Sequence, residues 1–459
     1  MITHLAIEGV RALRSVSFDL PPLVALCGPN GSGLRSIIDA VELLARLADH
    51  DITSALARAG GAESLFHTTP EAQPVERLRL AVEMLVEPSV QDDWGTHAEV
   101  RYTRMRYEVE IVREEGTTSG TRYRVDREFL APIQRTDDPW SRRYIRGGRE
   151  RWLPTLRTGR TAPFISTGVE GGVQTLYLHQ DGRGGIMAGV AQGAERTVLC
   201  SVATVEFPHA YAAREEMRRW RRFSLTAEGV AQSAPTLTRR VESNGANLPA
   251  ALLRATWESG EMPERTAALA RVSVPALEGI TLREQQRGEL PDLLLRLTDG
   301  TVISYLHAPE HLQRAIVLAA LAVDIDGPSA ALIECPENGL DPWHARAIVR
   351  QISAGVSQLD EEDQRPLRQA IVATHSPVIA EEIAKLHRHN EDAVQHDLPQ
   401  LLAVLPSSNG SSVQHIRPSS QLHLPFDNPA DSRTITLQEL ADTLHGRTGS
   451  PLYRNAWTQ

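Results

Sequence analysis

The stretch that decides the fold is Leu23-Val24-Ala25-Leu26-Cys27-Gly28-Pro29-Asn30-Gly31-Ser32-Gly33-Leu34-Arg35-Ser36, near the start of a 459-residue sequence. Its first five residues are apolar and follow Pro21-Pro22, which predicts a short buried strand. The next six form turns readily, and apolar residues then recur at helical spacing from Ile37 to Leu47. Strand, glycine loop and helix in this order predict a loop whose backbone N–H groups can cradle phosphate.

The composition is that of a globular protein, with 41% hydrophobic and 23% charged residues. The three cysteines, Cys27, Cys200 and Cys335, are far apart and form no CxxC pair, which argues against a disulfide framework or a zinc site. No signal-peptide pattern and no apolar run of about 20 residues is present, so we expect a cytoplasmic protein without a membrane partner. A net charge of -10 opposes nucleic-acid binding by the surface as a whole.

Strands that end in polar residues alternate with helices along the chain, which predicts an α/β fold with a mostly parallel sheet and a ligand site at the strand ends. We divide the chain into an N-terminal lobe (1–95), an insertion (96–270), a C-terminal lobe (271–415) and an unassigned tail (416–459). The insertion is predicted to contain a β-hairpin, an arginine-rich loop and a helical region. Arginines around Trp220 are predicted to lie on a helix face.

The glycine loop departs from the usual phosphate-binding pattern, in which Lys and then Ser or Thr follow the last glycine. Leu34 and Arg35 stand at those positions. A single-residue insertion would instead make Arg35 and Ser36 the pair, although a guanidinium does not reproduce lysine geometry. The backbone cradle itself is predicted from five loop residues: Gly28, Asn30, Gly31, Ser32 and Gly33. The alternative is a turn that binds no ligand.

Two later motifs carry acid and imidazole groups at strand ends. Glu334 ends the buried strand Ala330–Ile333 and can hold Mg²⁺ opposite the phosphates, with Ser36 as the second metal-binding residue. His375 follows the buried strand Ala370–Ala373 and can contact a terminal phosphate. The alternatives are an acid and a histidine that cap surface turns.

With these motifs in order, the sequence resembles AAA-type ATPases built on the ABC-class nucleotide-binding domain of RecF, SMC and OLD proteins. The resemblance implies a P-loop NTPase fold of ABC/RecF type, ATP and Mg²⁺ as cofactors, and Glu334 and His375 as catalytic residues if the protein is active. The matching segments are Leu5–Leu13, Gly28–Gly33, Ser64–His67, Trp220–Phe223, Ser243–Leu248, Glu334–Pro342 and Thr374–Pro377.

Three departures from the family pattern affect hydrolysis. The Walker A lysine is Leu34, and the catalytic glutamate of the Walker B pair is Cys335. The signature motif is placed at Leu306–Glu310, before an apolar helix, where Pro309 removes a backbone N–H. Leu297–Gly300 resembles the signature by eye but does not directly precede that helix.

The resemblance therefore implies a degenerate ABC-type protein, a regulatory or scaffolding subunit that forms a homodimer or a heteromer with another ATPase or effector subunit. A role in DNA repair or anti-phage defence is implied by the family alone. An active ATPase and a nucleotide-independent interaction module are the alternatives. Nucleic acid is a possible partner of the arginine-rich insertion, in which arginines interleave with aromatic residues: Arg135, Trp140, Arg142, Arg143, Tyr144, Arg146, Arg149, Arg151 and Trp152.

Overall fold

The structure of the protein is a computed structural model. The structure describes residues 1–69, 73–116, 120–145, 147, 149–153, 160–179, 186–231, 240–283, 291–324, 326–360, 365–388, 398–407, 410–417 and 434–445. Arg146 and most of the 416–459 tail lie outside these residues.

Strands of the described residues form two large sheets, a three-stranded sheet and a two-stranded ribbon. In chain order they are β1 (Ile2–Val10), β2 (Leu13–Asp19), β3 (Leu23–Cys27), β4 (Arg77–Leu85), β5 (Ser89–Gln91), β6 (His97–Glu99), β7 (Arg104–Gly116), β8 (Gly120–Pro132), β9 (Ile165–Glu170), β10 (Val173–His179), β11 (Ile186–Val190), β12 (Trp220–Phe223), β13 (Leu277–Arg283), β14 (Asp292–Leu297), β15 (Val302–Ser304), β16 (Ala330–Glu334), β17 (Gln369–Thr374), β18 (Leu398–Ser407), β19 (Gly410–Arg417) and β20 (Thr434–Thr436).

Helices lie mainly between the strands, and three short 3₁₀ turns occur in the described residues at Arg135–Asp137, Ala191–Gly193 and Tyr305–His307. The α-helices are α1 (Leu34–Leu47), α2 (Ile52–Arg58), α3 (Ala62–Leu65), α4 (Pro139–Tyr144), α5 (Arg149–Trp152), α6 (Val198–Ser201), α7 (Pro208–Arg218), α8 (Ala227–Ala231), α9 (Leu248–Ser259), α10 (Met262–Ala270), α11 (Glu310–Val323), α12 (Pro342–Gly355), α13 (Pro377–Arg388) and α14 (Leu437–Leu444).

The sheet that positions the glycine loop has the strand order β12-β16-β17-β3-β18-β19-β20. Its pairs from β12 to β18 are parallel, the β18–β19 pair is antiparallel, and the β19–β20 pair is parallel. Because β3, β16 and β17 run in the same direction, their carboxyl ends meet at one edge. Gly28, Glu334 and His375 follow or end these strands and therefore share that edge.

The larger sheet has eight strands in the order β11-β10-β9-β8-β7-β4-β1-β2, and all its pairings are antiparallel. The prediction of a mostly parallel sheet therefore holds for the loop-bearing sheet and is wrong for the larger one. The cause is that β1 pairs with β4, and β4 with β7, between segments that are separated in the sequence, and local patterns do not report such pairings. The predicted boundary after residue 95 falls between β5 and β6, which pair with each other.

Alternate residues of the parallel strands face two separate apolar cores, as their period-two geometry requires. Val24 and Leu26 of β3 join the core that contains α1 and the antiparallel sheet. Leu23, Ala25 and Cys27 of the same strand join the core that contains α9 to α13. The parallel sheet is therefore the middle layer, and the loop after β3 emerges between two packed layers.

Trp220 lies in β12, a strand parallel to β16, and the helix α7 has already ended at Arg218. The prediction that the arginines around Trp220 lie on a helix face holds for Arg218, the last residue of α7, and is wrong for Arg221 and Arg222, which lie in β12. A strand of only four residues has no periodicity of its own, and its pairing with β16 determines its conformation. In the described part of the chain, no helix combines the length and apolarity needed to cross a membrane.

Candidate nucleotide-binding site

The glycine loop connects β3 directly to α1. Gly33 caps the helix with a left-handed backbone (φ 98°) and provides no side-chain acceptor, so the first N–H groups of α1 remain available to an anion. Gly31 also has a positive φ of 79°, and a Cβ built on it meets no atom within 4 Å. The Ser32 hydroxyl is buried and has no hydrogen-bond partner among the described residues. These features fit a phosphate group bound by the loop.

The β18–β19 hairpin packs against the loop so closely that a side chain at Gly28 or Gly33 would clash with it. A Cβ on Gly28 would lie 2.1 Å from the backbone oxygen of Val404. A Cβ on Gly33 would lie 2.4 Å from the hydroxyl oxygen of Ser411. The loop is thus held from the hairpin side while Asn30 and Gly31 stay exposed at its tip.

Leu34 occupies the lysine position, because α1 begins immediately after Gly33 and no extra residue intervenes. Its side chain is only 5% exposed and belongs to the apolar core. Arg35 points away from that core, is 67% exposed, and lies with its Nε 4.0 Å from Asp39. Ser36 is buried in the first turn of the helix. The structure describes no cationic side chain at the lysine position of the loop.

Glu334 lies at the end of β16, as the sequence predicts, but it is already paired. Arg222 of β12 donates to one Glu334 carboxylate oxygen through Nε (3.0 Å) and Nη2 (2.7 Å). The same guanidinium lies 3.4 Å from Asp39 and 3.5 Å from Glu42 through its Nη1. Burial acts to lower the pKa of Arg222, but the hydrogen bond to Glu334 and three nearby carboxylates outweigh it and raise the pKa.

This arrangement does not fit the Mg²⁺ site predicted from Ser36 and Glu334. A divalent cation would have to approach a carboxylate that already neutralises a partly buried guanidinium. Repulsion between Mg²⁺ and the Arg222 guanidinium would oppose metal binding. The sequence does not predict this ion pair, because Arg222 lies 112 residues from Glu334.

Cys335 stands at the position for which the sequence resemblance implies a catalytic glutamate, and its chemistry differs from that of a carboxylate. Burial, with the carboxylates of Glu337 and Glu334, raises the pKa of the thiol to about 11. The thiol is therefore protonated near neutral pH and uncharged, so it cannot act as the general base there. Its backbone adopts a positive φ of 43°.

Glu337 is a site residue for which the sequence predicts no catalytic or binding role. Its Oε1 accepts a hydrogen bond from the Thr374 hydroxyl at 2.5 Å, and its Oε2 is buried without a partner among the described residues. Burial raises the pKa of this carboxyl, while Thr374 and the nearby His375 act in the opposite direction. An acid three residues past the strand gives no sequence signal for this position, because the turn at Cys335 redirects the chain.

His375 lies beside the loop, as expected from the strand ends. Its Nδ1 is 2.6 Å from the carbonyl oxygen of Gly28, and this ring nitrogen must be the donor because a carbonyl only accepts. The neutral ring then presents Nε2 as an acceptor, so only a protonated imidazole could donate to a phosphate. In the neutral form the histidine supports the loop backbone.

The two signature-like segments lie in different surroundings. Leu297–Gly300 forms the turn between β14 and β15, and Gly300 has a φ of 84°. Leu306–Glu310 leads directly into α11, for which Pro309 is the N-terminal cap. The second segment therefore has the helix-start position expected of a signature, although Pro309 contributes no N–H donor.

The aromatic residues of the arginine-rich insertion do not present free faces. Trp140 is 3% and Trp152 is 1% exposed, and the Trp140 indole donates to the backbone oxygen of Leu20 at 2.9 Å. Arg104 and Arg151 stack on the two tryptophans, with guanidinium carbons 5.0 and 4.3 Å from the ring centroids. Base stacking by these tryptophans, one basis of the nucleic-acid prediction, is therefore excluded in this conformation.

No protein-family model matches the sequence, and no curated protein matches it either. The chain is similar to an SMC head bound to the C-winged helix domain of ScpA, with 12% identity, 90% of this chain and 97% of that chain covered, and a TM-score of 0.46.

Two further solved structures are also SMC heads with 12% identity. The head domain from Thermotoga maritima covers 91% of this chain and 99% of its own, with a TM-score of 0.38. A head with an extended coiled coil, bound to the C-terminal domain of ScpA derived from Pyrococcus furiosus, covers 90% and 96%, with a TM-score of 0.42. These similarities concern backbone architecture only.

Proposed function

We propose that the protein binds a nucleoside triphosphate through Gly28–Ser36 and hydrolyses it slowly or not at all. The observation that carries this proposal is the pairing of Glu334 with Arg222. It occupies the acid that a Mg²⁺-dependent ATPase of this kind would use, while the loop retains an open tip and a helix start without a side-chain cap.

Two side-chain changes support the same conclusion. Leu34 lies in the core and supplies no charge to the loop, which removes a contact worth roughly 1.5–3 kcal/mol. Cys335 remains protonated and cannot take a proton from water. Nucleotide binding of reduced affinity without turnover is the function that remains.

We further propose that such a chain acts as a regulatory or scaffolding subunit, in a homodimer or beside another ATPase or effector subunit. The motif order from Leu5 to Pro377 supports this proposal through the family it resembles. The partner would then recognise the nucleotide-bound state of this chain, and the bound nucleotide would not be hydrolysed.

The test is an ATP titration paired with a turnover assay on the same preparation, with and without Mg²⁺. We expect saturable binding and no hydrolysis above background. Gly31→Asp places a carboxylate in the open loop tip, and repulsion of only about 1.4 kcal/mol weakens binding tenfold. Asp tolerates the positive φ better than most residues.

Gly31→Asn is the matched comparison, because it adds similar bulk without charge, and a smaller loss is expected. Steady ATP hydrolysis that Glu334→Gln abolishes would establish an active ATPase and overturn the proposal. No binding at millimolar ATP, together with a stable complex with another protein, would indicate a nucleotide-independent interaction module.

A further inference from the structure

A charged cleft of about 830 Å³ lies beside α1. Arg46 of α1 and Arg221 of β12 line it, together with Arg58 at the end of α2 and Arg240. The other arginines of the lining are Arg35, Arg218 and Arg222. None of the residues Gly28–Gly33 lines this cleft, and Arg35 is the one residue that it shares with the stretch Gly28–Ser36.

Three of the four acids that line the cleft are already paired with other arginines, so they are not available to Arg221 and Arg58. The pairs are Asp39 with Arg11 and Arg222, Glu42 with Arg46 and Arg222, and Asp49 with Arg218.

Arg221 is the residue that these pairs leave without a counterion. Its guanidinium packs over the Phe223 ring, 5.4 Å from the centroid, and no carboxylate among the described residues lies within ion-pair distance. Arg58 likewise forms no ion pair within the described part of the chain and is exposed at the cleft rim. A partly buried guanidinium without an anion is unfavourable unless a ligand supplies the charge.

The electrostatic surroundings of Arg221 agree with this geometry. Burial, followed by the charges of Arg240 and Arg46, lowers the pKa of its guanidinium to about 10. Asp324 and Glu242 act in the opposite direction without restoring the usual value. Positive charges therefore converge on a partly desolvated position in the cleft.

The ligand class follows from the lining. The cleft volume lies in the range of small-ligand pockets, about 300–1,000 Å³. Its indole, from Trp220, is 3% exposed and donates its N–H to Glu216, so it offers no face for a nucleobase. Guanidinium groups favour phosphate oxygens through paired hydrogen bonds.

We infer that this cleft binds a small anion with two or more phosphate groups, held by Arg221 together with Arg46, Arg58 and Arg240. The phosphodiester backbone of a single strand shares this chemistry but normally adds base stacking on aromatic side chains. The indole in the cleft lining, that of Trp220, is buried and offers no face for such stacking.

The test uses the full chain carrying Gly31→Asp, which weakens phosphate binding at the glycine loop, and inorganic tripolyphosphate as the probe without Mg²⁺. Calorimetry should show saturable binding. Adding Arg221→Met, which keeps an apolar stem beside Phe223, should weaken it at least tenfold. Arg296→Met on β14, an exposed arginine paired with Glu278, is the matched control and should change nothing.

Arg58→Ala is a second variant at an exposed position, and it should weaken binding even if Arg221→Met folds poorly. Equal affinity for both cleft variants and the starting chain would overturn the inference. So would equal losses from Arg296→Met. A single-stranded oligonucleotide that displaces tripolyphosphate at lower phosphate concentration would replace the small-molecule assignment with a nucleic acid. Failure of ATP binding at the loop would not affect any of these outcomes.

Discussion

The guanidinium of Arg222 donates two hydrogen bonds to one carboxylate oxygen of Glu334 and lies near Asp39 and Glu42. At the residue scale this network links the end of β16 to one face of α1. A carboxylate held in this way stabilises the fold, because its replacement would leave the partly buried Arg222 guanidinium with fewer partners. The same acid in a working ATPase would have to be free to orient a metal-bound water.

Cys335 provides a prediction at the residue scale. Its thiol pKa of about 11, against an ordinary value of 9.0, leaves about a hundredfold less thiolate at pH 8. The higher nucleophilicity of a more basic thiolate recovers only part of this loss, so iodoacetamide should alkylate Cys335 about tenfold more slowly than an unstructured cysteine peptide.

Intact-mass spectrometry over time measures this rate, and Cys335→Ser identifies the labelled residue. Cys27 and Cys200 are buried and should label only after unfolding. Alkylation of native Cys335 at the peptide rate would mean that the thiol is exposed and its pKa unshifted, contrary to the site described above.

How much of the site the sequence predicts depends on where each partner lies. Glu334, His375 and the glycine loop follow buried strands, and strand ends are visible in a local pattern, so their shared edge is predictable. The partner of Glu334 is not, because Arg222 belongs to a four-residue strand whose conformation depends on pairing. Glu337 is hidden for a similar reason, since the left-handed Cys335 turns the chain back toward Thr374.

Glu128 on β8 links two elements and gives a pH-dependent prediction at the element scale. It is fully buried and accepts hydrogen bonds from the N–H groups of Val198 and Leu199 and from the Tyr107 hydroxyl. Burial raises the pKa of its carboxyl from 4.5 to about 7, although these hydrogen bonds lower it.

The pH dependence of the free energy of unfolding follows from proton binding to Glu128. Between about pH 4.5 and 7 the folded chain keeps a proton on Glu128 that the unfolded chain has lost, so the free energy of unfolding falls as pH rises, by on the order of 3 kcal/mol. Denaturant midpoints at pH 5.5 and pH 8 measure the part of this difference that lies above pH 5.5, about 2 kcal/mol. Glu128→Gln should flatten it, and an unchanged pH dependence in that variant would assign the effect to other groups.

The β18–β19 hairpin is an element that the sequence analysis did not place against the loop. β18 pairs with β3 in parallel, and β19 brings Ser411 over Gly33. The hairpin residues are ordinary strand formers, and nothing in their pattern specifies which edge of the sheet they join. By contrast, the apolar run of β3 and the helix after it are predictable, because each carries its own periodicity.

At the scale of the whole molecule, the parallel sheet separates two cores, and Gly28 is a point where distant segments meet. Gly28→Ala should lower the free energy of unfolding by about 2 kcal/mol or more, because its Cβ would lie 2.1 Å from the Val404 backbone oxygen, which cannot simply rotate away.

Gly31→Ala is the control for backbone conformation, since its Cβ meets nothing and only its positive φ costs about 1–2 kcal/mol. Thermal unfolding of both variants against the parent chain gives the comparison. A smaller loss for Gly28→Ala than for Gly31→Ala would show that the hairpin does not pack against the loop.

The antiparallel sheet is the part of the whole fold that the sequence predicts least. Its hairpin β7–β8 is visible as alternation, but its pairing with β4, and of β4 with β1, joins segments of the chain with no local signal between them. The α/β layering of the loop-bearing sheet is predictable because consecutive elements alternate. The pairing of strands that are distant in the sequence depends instead on which apolar strand faces must be buried in the core.

The placement of β3 also governs when the protein can take shape during synthesis. Its two neighbours in the sheet, β17 and β18, are translated about 350 residues later, as the contact between Gly28 and His375 (347 residues apart) shows. At ribosomal rates of about 5–20 residues per second, the nascent β3 waits roughly 20–75 seconds for its partners. Throughout that interval the backbone N–H and C=O groups of β3 have no neighbouring strand to pair with, and we expect water to satisfy them until β17 and β18 arrive.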